Sequence, residues 1–151
     1  MNWVLRSRAQ TVAAIIAFLS LFVVGFMPLF GGPGYEISLA AGLILPTLVA
    51  IATAFDAMRR RTGPFESLSR GVAAGPLIAL VGYVTVIIHG FRVGFCDAAG
   101  GTAMYALGPF FGAVMGGAWG ALVGEVLIPV QRSWLRAVLA IFGGAFGPFI
   151  R

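Results

Sequence analysis

Apolar residues run along this chain in blocks too long for the core of a soluble domain, and polar residues fall almost entirely between the blocks. Four runs of about twenty residues or more, over 11–30, 35–55, 72–91 and 102–128, read as membrane-spanning helices. A fifth apolar stretch, 137–150, covers only about 21 Å as a helix, short of a hydrocarbon core of about 30 Å. Its Gly143, Gly144, Gly147 and Pro148 work against a straight helix, so three alternatives stand: a re-entrant segment, an interfacial one, or the start of a truncated span. The pattern predicts an all-α integral membrane protein, a single polytopic domain over residues 1–151. It has four transmembrane helices in two hairpins plus a short apolar C-terminal segment.

Within the fourth run, Gly108, Gly112, Gly116, Gly120 and Gly124 recur every four residues. In water each would cost a helix roughly 1 kcal/mol relative to alanine. In a bilayer the same spacing lays a bare groove along the helix, the glycine-zipper pattern that lets another backbone approach closely. Each four-residue step drifts about 40° around the helix, so a straight partner meets only the central two or three glycines. The adjoining ridge, Ala113, Gly117 and Ala121, is also small and ends at Glu125. The second run offers a partner ridge in the same direction, Ser38, Gly42, Pro46, Ala50 and Ala54; the third offers Gly71, Gly75 and Ala79. The ridge has three uses: packing inside one bundle, an interface between subunits, or the wall of a permeation path.

Composition agrees with the pattern. The chain is 60% hydrophobic and 10% charged, where soluble domains carry about 25% charged residues. Its ten basic residues are all arginine and give a net charge of +5, but they are spread between the runs rather than gathered into a nucleic-acid patch. Arg6, Arg8, Arg59, Arg60, Arg61, Arg70, Arg132 and Arg136 fall on one side of the predicted spans, against Arg92 on the other. The positive-inside rule then makes the amino terminus cytoplasmic, in a cell membrane of the bacterial inner-membrane type. Trp3 and Trp134 fall at the inner interface, and Tyr35, Phe91, Phe95 and Tyr105 near the outer one. The first run is longer than a signal-peptide core and lacks a small-residue cleavage site, so it is expected to remain.

The chemistry is sparse. No ionisable residue falls at the middle of a span, where ion-coupled transporters place theirs. Glu36 and Asp97 sit at outer ends, Asp56 at the inner end of the second run, and Glu125 near the inner end of the fourth. Glu125 is the acid best placed for partial burial, either paired with Arg132 or Arg59 or handling a proton. Glu36 and Pro46, like Asp97 and Pro109, form a loose repeat between the second and fourth runs, and Pro46 is a candidate break in its helix. The densest outer chemistry is His89, Arg92, Cys96 and Asp97, with Glu36 within reach. A thiolate beside a histidine is a nucleophile, yet no resolving cysteine or nucleophile frame accompanies this one. The plainer reading is an interfacial histidine, a snorkelling arginine paired with Asp97 or Glu36, and a small cysteine. One cysteine and one histidine exclude an internal disulfide, a redox pair and paired-histidine metal or haem ligation, so no cofactor or metal is expected.

These features point to a non-enzymatic membrane subunit or assembly module whose glycine-ridged fourth span packs against other helices. Its partners are then the lipid bilayer and other membrane chains, or further copies of itself. The alternative is a small homo-oligomeric transporter or channel, and an outer-facing thiol or histidine enzyme stands third.

Overall fold

The computed structural model describes residues 7–95 and 97–146, and every regular element among them is helical. In chain order these are α1 (Arg8–Val24), α2 (Tyr35–Arg60), α3 (Pro64–Val93), α4 (Ala98–Tyr105), a π-helical turn (Ala106–Phe110), α5 (Phe111–Leu127) and α6 (Ser133–Phe146). Three stretches are long and apolar enough to cross a membrane: α2, α3 and the rod from α4 through α5. α1, with 17 residues, and α6, with 14, are shorter apolar helices.

The element boundaries depart from the apolar runs for local reasons. α1 stops at Val24, not at residue 30. Gly25 caps it, and Pro28 has no amide to donate and holds Met27 away from helical geometry. Residues 26–30 form successive turns instead, with the Phe26 and Met27 amides bonded to the Val23 and Val24 carbonyls. At the opposite end α2 runs on to Arg60 and α3 already begins at Pro64, so the arginine-rich segment expected as a loop is mostly helix. Only residues 61–63 link them. Arg61 closes α2 in the left-handed region (φ 49°), Gly63 turns at φ 101°, and Pro64 starts α3, where its missing amide costs nothing.

The core is built mainly from small side chains. Ala17, Ala41, Ala50, Ala74, Ala79 and Ala113 are fully buried, with Leu21, Leu45, Val49 and Val86 as the larger pieces. Such a core lets backbones come together. α5 lies between α2 and α3, α1 packs on α2 and α3, and α6 covers α2 and α5. α6 runs antiparallel to its two neighbours. Its Gly144 lies against Ile51, Gly143 lies against Val123, and the Trp119 indole donates to the Gly143 carbonyl at 2.8 Å. It therefore stands alongside the long helices rather than lying across their ends. Residues 147–150, the end of the predicted tail, lie outside the described residues.

Pro46, the candidate break in its helix, is instead carried within an unbroken α2, buried against α5. Pro109 sits inside the π-helical turn. There the missing amide and the ring are absorbed by widening one turn of helix. The change of phase carries Tyr105 inward. Expected in the outer aromatic belt, it is 3% exposed, and its hydroxyl donates to the Ala79 carbonyl at 2.8 Å.

Candidate functional site

The glycine face of α5 is where the molecule is most tightly assembled. A Cβ placed on Gly112 would meet the Pro46 ring at 2.9 Å; on Gly116, the Pro46 Cα at 2.9 Å; on Gly120, the Ala50 Cα at 2.7 Å; and on Gly124, the Ala54 carbonyl at 2.7 Å. Partners advance together, 46 with 116, 50 with 120 and 54 with 124, so the helices run parallel and stay in register. Four glycines are engaged, more than a straight partner could reach. The partner ridge also steps by four, above the helical period, so both drift alike and can wind around each other.

The adjoining ridge is engaged as closely, on the other side. The Gly117 and Gly71 backbones touch, and a Cβ on Gly75 would fall 2.6 Å from the Ala113 carbonyl oxygen. Pairing 117 with 71 and 113 with 75 makes α5 and α3 antiparallel. The contact ends in a side-chain bond: buried Ser67 donates its hydroxyl to the Glu125 carboxylate. Among the described residues, Glu125 makes no ion pair with Arg59 or Arg132. Ser67 extends the Gly71–Gly75–Ala79 spacing by one step, as Glu125 extends Ala113–Gly117–Ala121, so this bond had a signal in the sequence.

Gly108 is the exception. Nothing lies within 4 Å of a Cβ placed there. The π-helical turn spends an extra residue, and one residue is about 100° of phase, so Gly108 leaves the line of Gly112 and faces outward. It lines an apolar cleft of about 540 Å³ with Tyr35, Ser38, Leu39, Gly42, Leu43, Met104, Leu107 and Pro109. Gly42 stands 3.9 Å from the Pro109 ring, by the same measure. Ser38 keeps its hydroxyl within α2, donating to the Gly34 carbonyl at 2.8 Å.

Among the described residues, His89, Arg92, Asp97 and Glu36 do not form one site. His89 is 3% exposed, its ring 5.2 Å from those of both Phe22 and Phe26, and closed over by Gly25. Arg92 pairs with neither Asp97 nor Glu36 among the described residues. Its guanidinium donates to the Gly25 carbonyl at 2.7 Å and lies 4.5 Å from the centre of the Phe26 ring. A cation there complements the negative end of α1. Asp97 caps α4, accepting from the Gly100 amide at 2.9 Å, and Glu36 is exposed in the first turn of α2. Cys96 lies outside the described residues. Among those described, no three His, Cys, Asp or Glu side chains gather as metal ligands.

The arginine-rich end holds polar groups that the apolar pattern hid. The Asp56 carboxylate is 7% exposed as a residue, and its Oδ1 accepts from the Ser7 hydroxyl at 2.6 Å and from the Arg60 Nε at 2.9 Å. Gln10 and Thr53 are 3% and 2% exposed, and the Gln10 amide and Thr53 hydroxyl have no hydrogen-bond partner among the described residues. Gln10 is one turn beyond Ser7 and Thr53 one turn before Asp56, and the Thr53 methyl lies against α3, 2.8 Å from a Cβ placed on Gly71. Glu66 and Arg70 pair across one turn of α3. No protein-family model, curated protein or solved structure matches this chain.

Proposed function

We propose that this chain is a non-enzymatic membrane subunit that assembles with another transmembrane helix through the outward-facing cleft at Gly42 and Gly108. The bundle crosses the bilayer four times, by α1, α2, α3 and the α4–α5 rod, as two hairpins. The arginine-rich end is cytoplasmic, in a membrane of the bacterial inner-membrane type. α1, at about 25 Å, is at the short end of what spans a hydrocarbon core. α6 is a re-entrant segment beside α2 and α5.

One observation carries this reading. Four of the five ridge glycines are consumed by contact with α2, and the fifth, Gly108, is left bare on the surface beside Gly42. A glycine with no neighbour gives nothing to its own bundle, while in lipid an exposed small-residue groove is the surface on which a second helix packs. Gly108→Leu should therefore fill the cleft without disturbing the fold. In mild detergent the native mass of the wild-type chain should include a second polypeptide, and the variant should lose it, association weakening by about tenfold or more. A wild-type chain that runs alone, or a Gly108→Leu chain that keeps its partner, overturns the reading.

A second reading, a small homo-oligomeric transporter, draws on the buried Gln10 and Thr53 beside Asp56, since unpartnered polar groups inside a bundle favour water or an ion there. Its signature is a discrete homo-oligomer in which Asp56→Asn changes ion flux into reconstituted vesicles. Unchanged flux rules out that role for Asp56.

A further inference from the structure

We propose that the arginine-rich end of the α1–α2 interface is a binding site for one anionic phospholipid. Its phosphate is held by Arg8 and Arg59, and an acyl chain is laid along Val12, Ile16, Leu48 and Phe55. The site rests on the membrane embedding proposed above but not on the assembly role. Two clefts meet there. A polar one of about 260 Å³ is lined by Ser7, Asp56 and three arginines, and an apolar one of about 520 Å³ continues from it between the helices. They share Arg8, Ala9 and Arg59, so one ligand with a charged head and a long tail can occupy both.

The depth ordering is that of a phospholipid. The arginines stand at the helix ends, while Ile16 and Leu48 lie two to three turns further in. The apolar cleft, about 520 Å³, is walled by Val12, Ile16, Leu48 and Phe55, side chains that an acyl chain would cover.

Charge selects the head group. Three arginines against Asp56 leave the polar cleft at +2. Arg60 is already committed to Asp56, whereas Arg8 and Arg59 are exposed and in no ion pair among the described residues. The start of α1 adds to the attraction. Ser7 occupies the capping position, but its hydroxyl goes to Asp56 and makes no cap bond. The start of α1, whose first residues Arg8 and Ala9 line both clefts, therefore lacks a side-chain cap, and an uncapped helix start favours a phosphate. The head group therefore meets two guanidiniums and a helix start, which a zwitterionic lipid uses less well because its own cation must sit beside the arginines.

Native mass spectrometry of the full chain, extracted with phosphatidylglycerol or with phosphatidylcholine, tests this. The wild type should retain one phosphatidylglycerol through mild activation. Arg8→Gln/Arg59→Gln should retain it about thirtyfold less, from two basic side chains near a phosphate. Arg132→Gln/Arg136→Gln removes the same charge elsewhere and should behave as wild type, and equal thermal unfolding of all three shows that each is folded. Equal retention by the Arg8/Arg59 variant, or equal retention of phosphatidylcholine, overturns the site. Displacement of the lipid by inorganic phosphate reassigns it to a free anion. A second copy of the chain filling the groove in place of lipid overturns it as well.

Discussion

Gly117→Ala should destabilise the bundle by at least the upper end of the range of about 1–3 kcal/mol seen for overpacked cores, and Gly117→Leu should leave no folded chain to purify. The reason is what a methyl group would strike. At most core sites an added carbon pushes a neighbouring side chain into another rotamer. At Gly117 it meets the main chain of Gly71, whose own added carbon would strike Gly117 in return. Neither can yield without sliding α3 along α5. That slide would also pull Gly75 from Ala113 and part Ser67 from Glu125, since all three contacts lie on one pair of ridges. Gly108→Ala is the matched control, a ridge glycine with open space around it, and should be neutral. Unfolding by SDS from mixed micelles, followed through the tryptophans, compares the two. If Gly117→Ala unfolds with Gly108→Ala, the backbone contact is not what holds α3 to α5.

How much of this could be read from the sequence depends on how local each feature is. The four-residue spacing of small residues is an intrahelical pattern, and so are the directions of helices joined by short links. Both ridges on α5 were therefore visible, along with the segments of α2 and α3 able to face them. Gly108 shows where periodicity stops being informative. Its spacing from Gly112 is the same as elsewhere on the ridge, but Pro109 widens the intervening turn and the phase is lost. Pro46 has the same chemistry and no such effect, because its ring lies against Gly112 where a straight helix accepts it. Which proline is absorbed and which breaks the phase is decided by the neighbouring helix, and one chain segment does not carry that information.

The polar pairings differ from those expected for a related reason. Distance along the sequence places Arg92 near Asp97, and the structure instead gives it the carbonyl end of α1. Ser7 and Asp56, 49 residues apart, were invisible as a pair. Hydropathy averages over a run, so one Gln10 or Thr53 among alanines and valines changes it little, although burial makes each of them costly. The two ends of the bundle are consequently unlike. The His89 end closes with aromatic rings over His89 and Arg92, whereas the arginine-rich end holds hydroxyl–carboxylate pairs across α1–α2 and α3–α5.

Tyr105→Ala should be the most damaging truncation of a large side chain, costing about 3–5 kcal/mol, and Tyr105→Phe should cost about 0.6–1.7 kcal/mol. The difference follows from the two jobs of the side chain. Its ring fills the space over Gly82, where a Cβ would meet the Tyr105 hydroxyl at 2.6 Å, Leu21 at 3.0 Å and Leu45 at 3.1 Å. That point joins α1, α2, α3 and the α4–α5 rod, so an empty volume there loosens all of them together. Its hydroxyl makes a single bond, to the Ala79 carbonyl. In lipid such a bond is worth little more than in water, because an unfolded helix also finds partners. Gly82→Ala adds a third arm: its methyl would press on the Tyr105 hydroxyl and should destabilise the wild type while partly refilling the cavity of Tyr105→Ala. A double-mutant cycle on unfolding free energy reads this directly. If the double variant is no more stable than the two single losses added together, Gly82 and Tyr105 are not coupled. Strong rescue would mean that filled volume at this junction, and not only the Tyr105 hydroxyl bond to Ala79, holds the four helices together.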